Sequence, residues 1–192
     1  MAWYIGNLNF QRRNELHMQG RNLNMRKVVL ITTGGTIEKV YSEQTSTVEN
    51  LYNQIDRYLG RLRLPDCDVR VMPLMNKDSL EMTDADRSAI LELIEQVLSE
   101  RPAVVITHGT DTMVQTGLYL KQALPELKAP IVLTGAMTPL GFEGSDGLQN
   151  LTESLFAVRI LDPGIYVVMH NQAFPIDHVR KERETSRFVW ID

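Results

Sequence analysis

Short apolar runs alternate with longer amphipathic stretches along most of the chain. β-branched residues dominate the runs and predict strands at 27–33, 69–75, 103–107, 131–134 and 165–170. Apolar positions at helical spacing predict helices at 49–62, 83–98, 112–124 and 148–161. Within the second run, Pro73 favours an edge strand or a strand end. This alternation predicts an α/β fold: an open, mostly parallel sheet with helices on both faces, of the Rossmann or flavodoxin-like kind.

The segments between these elements are polar, and they predict loops. Residues 39–48 are rich in Ser, Thr, Glu and Gln, residues 76–82 form a polar connection, and residues 171–192 form a polar tail with an aromatic end. Thr83, followed at the third position by Asp86, predicts a helix N-terminus. Right-handed crossovers put all the strand-to-helix loops at one edge of the sheet, where ligands bind in such folds.

Composition restricts the domain organisation and the partners. The chain has 192 residues, 43% hydrophobic and 23% charged, which predicts one globular domain at 25–192. Residues 1–24 lack an apolar signal region, and they are expected to be a disordered extension preceding Met25, with a functional arm as the alternative. A net charge of −4 without a basic block argues against nucleic-acid or anionic-membrane binding. Cys67 is the only cysteine, and no apolar run approaches the roughly 20 residues of a membrane span.

Two of the predicted strands end in threonine-containing loops. The first loop reads T-T-G-G-T at 32–36, where two glycines permit a tight turn and an anion-binding nest, and Thr36 follows with its hydroxyl. These residues alone are compatible with a nucleophile, a phosphate cradle or a plain turn. The spacing matches neither of the common glycine-rich nucleotide-binding motifs, so support for nucleotide binding is weak.

The second loop follows the strand at 103–107 and reads T-H-G-T-D-T at 107–112. Thr110 and Asp111 put a hydroxyl beside a carboxylate, which suits an ammonium-binding site or a proton relay. Helix capping by Asp111 and Thr112 is the competing interpretation. His108 is more typical of a packed, hydrogen-bonded histidine than of a base, and the chain offers no metal-ligand cluster around it.

A threonine hydroxyl needs a base, and the chain contains two candidates. Lys181 can act as one if burial lowers its pKa, although a charge run such as 180–184 is more typical of a solvated face. Tyr41, five residues after Thr36, could close over the site as a lid, although most loop tyrosines serve packing or lie at the surface.

Four motifs taken together resemble those of the bacterial-type L-asparaginases, the asparaginase/glutaminase family. They are T-G-G-T-I at 33–37, H-G-T-D-T-M at 108–113, G-A-M at 135–137 and D-H-V-R-K at 177–181. The resemblance runs from about Lys27 to Lys181, and it is closest to short-chain, single-domain asparaginase-like proteins. It implies the fold of the asparaginase N-terminal domain and a homo-oligomer, a dimer or tetramer, that needs no metal or organic cofactor. A cytoplasmic location is expected because no signal region precedes the domain.

The resemblance also implies roles for individual residues. Thr36 matches the nucleophile, and Tyr41 matches the lid tyrosine. Thr110, Asp111 and Lys181 match a second triad, in which Thr110 is sometimes assigned as nucleophile and Asp111 grips the substrate α-amino group. The expected substrate contacts are at Ser79, which matches the serine that binds the α-carboxylate, at the backbone of Ala136, and at the glycine turns of Gly35 and Gly109.

Three features depart from the pattern of the large enzymes. Leu80 stands where they commonly have a substrate-binding glutamine. Tyr41 is nearer to Thr36 than their roughly dozen-residue spacing. The second, C-terminal domain of the large enzymes, which contributes substrate contacts across a subunit interface, has no counterpart in this chain.

The predicted activity is hydrolysis of the side-chain amide of L-asparagine to L-aspartate and ammonia, through a threonine nucleophile and an acyl-enzyme. The alternative is a non-catalytic amino-acid-binding or regulatory protein, because an asparaginase-like module serves as one component of an archaeal amidotransferase system. The presence of Thr36, Thr110, Asp111 and Lys181 together favours the enzyme.

Overall fold

A computed structural model describes residues 25–50, 54–99 and 103–192 of the chain. The predicted N-terminal extension at 1–24 lies outside the described residues. The strands are β1 (Arg26–Gly34), β2 (Lys39–Ser42), β3 (Thr47–Asn50), β4 (Cys67–Lys77), β5 (Ala103–Thr107), β6 (Ile131–Thr134), β7 (Ile165–Met169), β8 (Gln172–Pro175), β9 (Val179–Glu182) and β10 (Arg187–Trp190). The helices are α1 (Gln54–Leu59), α2 (Asp84–Leu98), α3 (Met113–Ala123) and α4 (Gly147–Ala157).

Six strands form the central sheet in the order β4-β1-β5-β6-β7-β8, in which all pairs are parallel except β7 with β8. The five parallel strands therefore have the doubly wound order 2-1-3-4-5 of flavodoxin-like folds, whose strand order reverses between the first and third of them. Here these are β1 and β5, the two strands that end in the threonine loops. The predicted α/β class and mostly parallel sheet are confirmed, and β4 with Pro73 is an edge strand as predicted.

Two hydrophobic layers cover the faces of the sheet. Along β1, Val29 and Ile31 point into the layer that contains α2 and α3, whereas Val28 and Leu30 point into the layer with α1 and α4. Side chains alternate in the same way along β5. A strand buried on both faces must be apolar at consecutive positions, and this is why the strands read as continuous apolar runs.

Local signals set the ends of the helices. Thr83 caps α2 in a capping box with Asp86, as the sequence predicted: the Asp86 N–H donates to the Thr83 hydroxyl, and the Thr83 N–H donates to the Asp86 carboxylate. Helix α3 ends at Ala123, shortly before Pro125. Within the described residues, no helix is long and apolar enough to cross a membrane.

The polar segment at 39–48 is not simply a loop, and the predicted helix at 49–62 begins too early. Strands β2 and β3 form an antiparallel hairpin in which Tyr41 is paired with Val48. Ser46 has a left-handed φ of 56°, which allows the tight turn. The described helix covers only Gln54–Leu59. The helical periodicity was misleading because strand pairing outweighed the local pattern at 47–50.

The tail at 171–192 is also structured rather than irregular. A two-residue turn at His170 and Asn171, with φ of 52° and 61°, reverses the chain into β8. Phe174 is 1% exposed and anchors β8 against the core. A second hairpin, β9–β10, follows and carries Lys181.

Candidate active site

The T-G-G-T turn is held between the ends of β4 and β5. Gly34 and Gly35 have φ of 91° and 79°, which glycine adopts without strain. A Cβ on Gly35 would lie 2.5 Å from the Gly109 nitrogen, so the two glycine turns touch. The Gly35 N–H donates to the Lys77 carbonyl at 2.9 Å. Thr36 follows directly, half-buried, at the start of a 3₁₀ turn that ends at Glu38.

The second threonine loop is anchored by a buried histidine. The His108 N–H donates to the Thr134 carbonyl at 2.8 Å. The ring nitrogens lie 2.7 Å from the Gly109 carbonyl and 2.8 Å from the Thr116 hydroxyl. Burial lowers the pKa of His108 to about 4, and the positive charge of Arg87 acts in the same direction. A neutral imidazole with no exposed surface supports the interpretation of His108 as a packed residue.

Lys181 reaches this loop from the β9–β10 hairpin. Its Nζ donates to Thr110 Oγ1 at 2.7 Å and to Asp111 Oδ1 at 3.0 Å. Only 16% of the Lys181 side chain is exposed, whereas its neighbour Arg180 is 55% exposed and pairs with Glu182. The solvated-face interpretation therefore holds for Arg180 and fails for Lys181.

The capping interpretation of Asp111 and Thr112 is not what the structure shows. Asp111 is paired with Lys181, and Arg183 lies 3.5 Å from the same carboxylate oxygen. Thr112 is the N-cap residue of α3, but its hydroxyl makes no cap hydrogen bond and donates instead to the Ser79 carbonyl at 2.8 Å. Both side chains therefore connect the second threonine loop to other segments, Asp111 to Lys181 and Thr112 to Ser79.

Ser79 packs against the second glycine turn. It is 2% exposed, and a Cβ on Gly109 would lie 2.5 Å from its Oγ. The Asp78 carboxylate accepts hydrogen bonds from the Leu80 N–H at 3.1 Å and from Lys39 Nζ at 2.8 Å. The Leu80 side chain is 66% exposed, so it presents an apolar surface beside Ser79.

The loop at the end of β6 reaches both threonine loops. Ala136 is 1% exposed, and the sulfur of Met137 lies 3.7 Å from the Thr110 hydroxyl. The Leu140 N–H donates to the Ile37 carbonyl at 3.4 Å, one residue beyond Thr36. The structure thus brings the loops after β1, β5 and β6 together with Ser79 and Lys181.

Tyr41, the predicted lid residue, lies at the surface. It lies on β2, is 57% exposed, and its phenol makes no hydrogen bond within the described part of the chain. Its hairpin is connected to the site region through the Lys39–Asp78 ion pair.

Sequence reasoning missed two carboxyl groups. Glu38 is 2% exposed; burial raises its pKa to about 7, against hydrogen bonds from Thr32 and the Gly34 N–H that lower it. Asp146 accepts hydrogen bonds from the loop of Ala136. Glu38 stands in a polar segment and Asp146 in a glycine-bearing loop, where carboxylates are ordinarily solvated, so nothing local indicated either role.

In the described residues, no group of three or more His, Cys, Asp or Glu side chains has an arrangement that could hold a metal.

Known proteins resemble this chain over most of its length. The family model "Asparaginase, N-terminal" matches residues 27–188. The L-asparaginase of Thermococcus kodakarensis is 31% identical over 141 residues, which are 73% of this chain and 43% of that protein. L-asparaginase 1 of Escherichia coli K12 is 34% identical over 138 residues, 68% of this chain and 40% of that protein. A component of the glutamyl-tRNA(Gln) amidotransferase of Methanococcus vannielii is 29% identical over 79% of this chain and 36% of that protein.

Solved structures of L-asparaginases are also similar to this chain. The thermostable L-asparaginase from Thermococcus kodakarensis superposes with a TM-score of 0.78 at 29% identity, covering 86% of this chain and 51% of that one. This chain thus spans about half or less of the length of these relatives. Because the family model matches most of the sequence, from the strand before the first threonine loop to the hairpin that carries Lys181, the chain belongs to the asparaginase family.

Proposed function

We propose that this protein hydrolyses the side-chain amide of L-asparagine to L-aspartate and ammonia. The observation that carries the proposal is the contact of Lys181 with both Thr110 and Asp111 beside the T-G-G-T turn. The relatives named L-asparaginase support the same reaction class.

In the proposed first step, the Thr36 oxygen attacks the amide carbon, and its proton passes to the Thr110–Lys181 pair or to Tyr41. The carbonyl oxygen becomes an oxyanion, which N–H groups of the glycine turns, together with Thr110, would stabilise. Collapse of this intermediate breaks the carbon–nitrogen bond, and the nitrogen leaves as ammonia with the transferred proton. The product of this step is an ester between Thr36 and the aspartyl group.

In the second step, water attacks the ester carbon and the Thr36 hydroxyl is regenerated. Asp111 would hold the substrate α-ammonium group, while Ser79 would hold the α-carboxylate and the Ala136 carbonyl would meet the amide. These roles fit the side chains: Asp111 is a partly exposed carboxylate, and Ser79 lies against Gly109. Tyr41 is 57% exposed on the β2–β3 hairpin that follows Thr36, in keeping with a lid over the substrate.

The decisive experiment is the Thr36→Ala variant in a coupled ammonia assay with asparagine, glutamine and dipeptide amides. We expect kcat to fall by about 10³-fold or more with an unchanged melting temperature, because the nucleophile is lost and the fold is not. Thr152→Ala is the matched control, since Thr152 lies on the exposed face of α4 and its hydroxyl donates to the Leu148 carbonyl. Wild-type ammonia release by Thr36→Ala would overturn the assignment of the nucleophile.

A second candidate is a non-catalytic amino-acid-binding or regulatory protein. The observation in its favour is the 29% identity to a component of an amidotransferase. Calorimetric binding of asparagine without ammonia release from the wild-type protein would favour this candidate.

We further propose a cytoplasmic homo-oligomer, a dimer or tetramer. Light scattering coupled to size-exclusion chromatography at several protein concentrations tests the assembly. A 21.9 kDa species at every concentration would contradict it.

A further inference from the structure

The loop that carries Ala136 has no regular secondary structure to hold it. Strand β6 ends at Thr134, and the next helix, α4, starts at Gly147. Backbone N–H groups in such a loop need partners from elsewhere in the molecule. Those of Met137 and Thr138 are satisfied by one side chain, Asp146.

Asp146 binds the loop through several charge-assisted hydrogen bonds. Met137 N–H donates to its carboxylate at 3.0 Å, and Thr138 N–H donates at 2.9 Å. Asn150 Nδ2 lies 2.9 Å away and His170 Nε2 lies 2.8 Å away. Burial raises the pKa of Asp146, but the hydrogen bonds outweigh burial and hold this pKa below its usual value. The carboxylate is therefore ionised at neutral pH and bonds these donors strongly.

Asn150 extends the network to the other end of the loop. Its Nδ2 also donates to the Gly135 carbonyl at 3.0 Å, and its Oδ1 accepts from the His170 N–H at 3.0 Å. Asn150 is fully buried. The loop is thus bonded on both sides of Ala136, at Gly135 by Asn150 and at Met137 by Asp146.

The network also faces a cleft. A cavity of about 580 Å³ borders Met137, Asp146 and His170 on one side and Arg187 and Phe188 of β10 on the other. The same loop borders the proposed reaction site, where the Met137 sulfur contacts the Thr110 hydroxyl. The loop is therefore bonded to Asp146, which borders the cleft, and contacts Thr110 of the proposed reaction site.

We propose that Asp146 is a positioning residue of the reaction: through the Met137 and Thr138 N–H groups it fixes the backbone of Ala136 against Thr110. This inference rests on the proposed amide hydrolysis. The hydrogen-bond partners of the Asp146 carboxylate include the loop backbone, Asn150 and His170, so the role proposed for it acts through the loop. A loop displaced by about 1 Å costs an enzyme about 10²-fold in rate.

The test is Asp146→Asn. This substitution removes the negative charge and replaces one acceptor oxygen by an NH₂ group, which cannot accept from Met137 N–H or Asn150 Nδ2. We expect kcat/KM for asparagine to fall by about 10- to 100-fold, with faster hydrogen exchange of the Met137 and Thr138 amides measured by NMR. Glu153→Gln is the matched control, because Glu153 is a carboxylate on the same helix that accepts from Gln149 and the Asn171 N–H. Glu153→Gln should retain wild-type kcat/KM and wild-type exchange at both amides.

A second variant covers the case in which Asp146→Asn does not fold. His170→Asn keeps the left-handed backbone at φ 52°, which asparagine tolerates, but its shorter side chain no longer reaches Asp146. It should give a smaller acceleration of the same two amides. Faster exchange with unchanged kcat/KM in an active enzyme would overturn the positioning role. Unchanged exchange in both variants would overturn the network itself.

The two readouts separate this inference from the proposed function. If the wild-type protein releases no ammonia, the proposed function fails, whereas exchange at Met137 and Thr138 still reports whether Asp146 holds the loop. If the wild-type protein is active and Asp146→Asn is equally active, the inference alone fails.

Discussion

Lys181 Nζ lies 2.7 Å from Thr110 Oγ1, although the two residues are 71 positions apart in the chain. The same nitrogen lies 3.0 Å from Asp111 Oδ1. One hairpin, β9–β10, therefore completes a group of three polar side chains at the end of a central strand.

Replacing Lys181 tests this contact directly. Lys181→Met keeps the apolar stem and removes the ammonium group, so we expect kcat for ammonia release to fall by about 10²- to 10⁴-fold, the range of an acid–base contribution. Arg180→Met is the matched control: Arg180 is the neighbouring cation, pairs with Glu182 in solvent, and should retain wild-type kcat. Equal activity of the two variants would remove Lys181 from the mechanism.

The contact between the two glycine turns makes a second prediction. Gly35→Ala puts a Cβ 2.5 Å from the Gly109 nitrogen at a residue with φ 79°. The backbone strain and the clash together should reduce the free energy of unfolding by about 2–4 kcal/mol. Urea denaturation measures this loss.

Gly144→Ala separates the two costs. Gly144 has a similar φ of 74°, but no atom lies within 4 Å of its added Cβ. We expect a loss of about 1–2 kcal/mol, the cost of the left-handed backbone alone. If Gly35→Ala is no worse than Gly144→Ala, the close packing of the turns is wrong.

Glu38 predicts an unusual pH dependence of stability. Its pKa is about 7 in the folded protein against 4.5 in the unfolded chain, because burial favours the neutral acid. The contribution of this shift to the free energy of unfolding is therefore fully present below pH 4.5 and is lost as the pH rises through 7. The total loss is about 3 kcal/mol. Relative to Glu38→Gln, which does not titrate, the wild-type free energy of unfolding should fall between about pH 5 and pH 8 in urea titrations. Parallel curves for the two proteins would contradict a buried Glu38 carboxyl.

His108 predicts the opposite dependence. Its pKa falls from 6.5 to about 4 on folding, because burial disfavours the imidazolium. The contribution of this shift to the free energy of unfolding is present above pH 6.5 and is lost as the pH falls through 4. The total loss is again about 3 kcal/mol. Relative to His108→Gln, the wild-type protein should lose stability between about pH 7 and pH 4.

The two titrations oppose each other between pH 4.5 and pH 6.5. In the wild type, the summed contribution of Glu38 and His108 to the free energy of unfolding should therefore change little with pH in this range. In each single variant, the pH dependence caused by the other residue should become visible. A His108→Gln protein whose stability follows the same pH dependence as the wild type across this range would exclude His108 as a contributor.

Much of the fold followed from local pattern. Strand β1 is apolar at consecutive positions because both of its faces are covered, and that is visible in the sequence. Thr83 and Asp86 predicted the start of α2, because a capping box involves only residues close together in the sequence. The order of the parallel strands put the T-G-G-T and H-G-T-D loops at the switch point, where the candidate site lies.

Other parts depended on partners distant in sequence. The β2–β3 hairpin replaced a predicted loop and the start of a predicted helix, and β8, β9 and β10 replaced a predicted polar tail. Strand pairing depends on which other backbone segment lies alongside, and the sequence of a polar segment gives little indication of its pairing partner. The site roles of Thr36, Tyr41, Ser79 and Ala136 remain predictions from the resemblance.

The sequence by itself determined the layered α/β sheet and the places where its central strands break into glycine and threonine, because alternation, capping and tight turns are local properties of the chain. Only the tertiary structure decided that Lys181 lies at Thr110, that Glu38 is buried, and that Asp146 holds the Ala136 loop. Each of these depends on the burial of an ionisable side chain by residues far along the chain, and burial arises only when the elements pack.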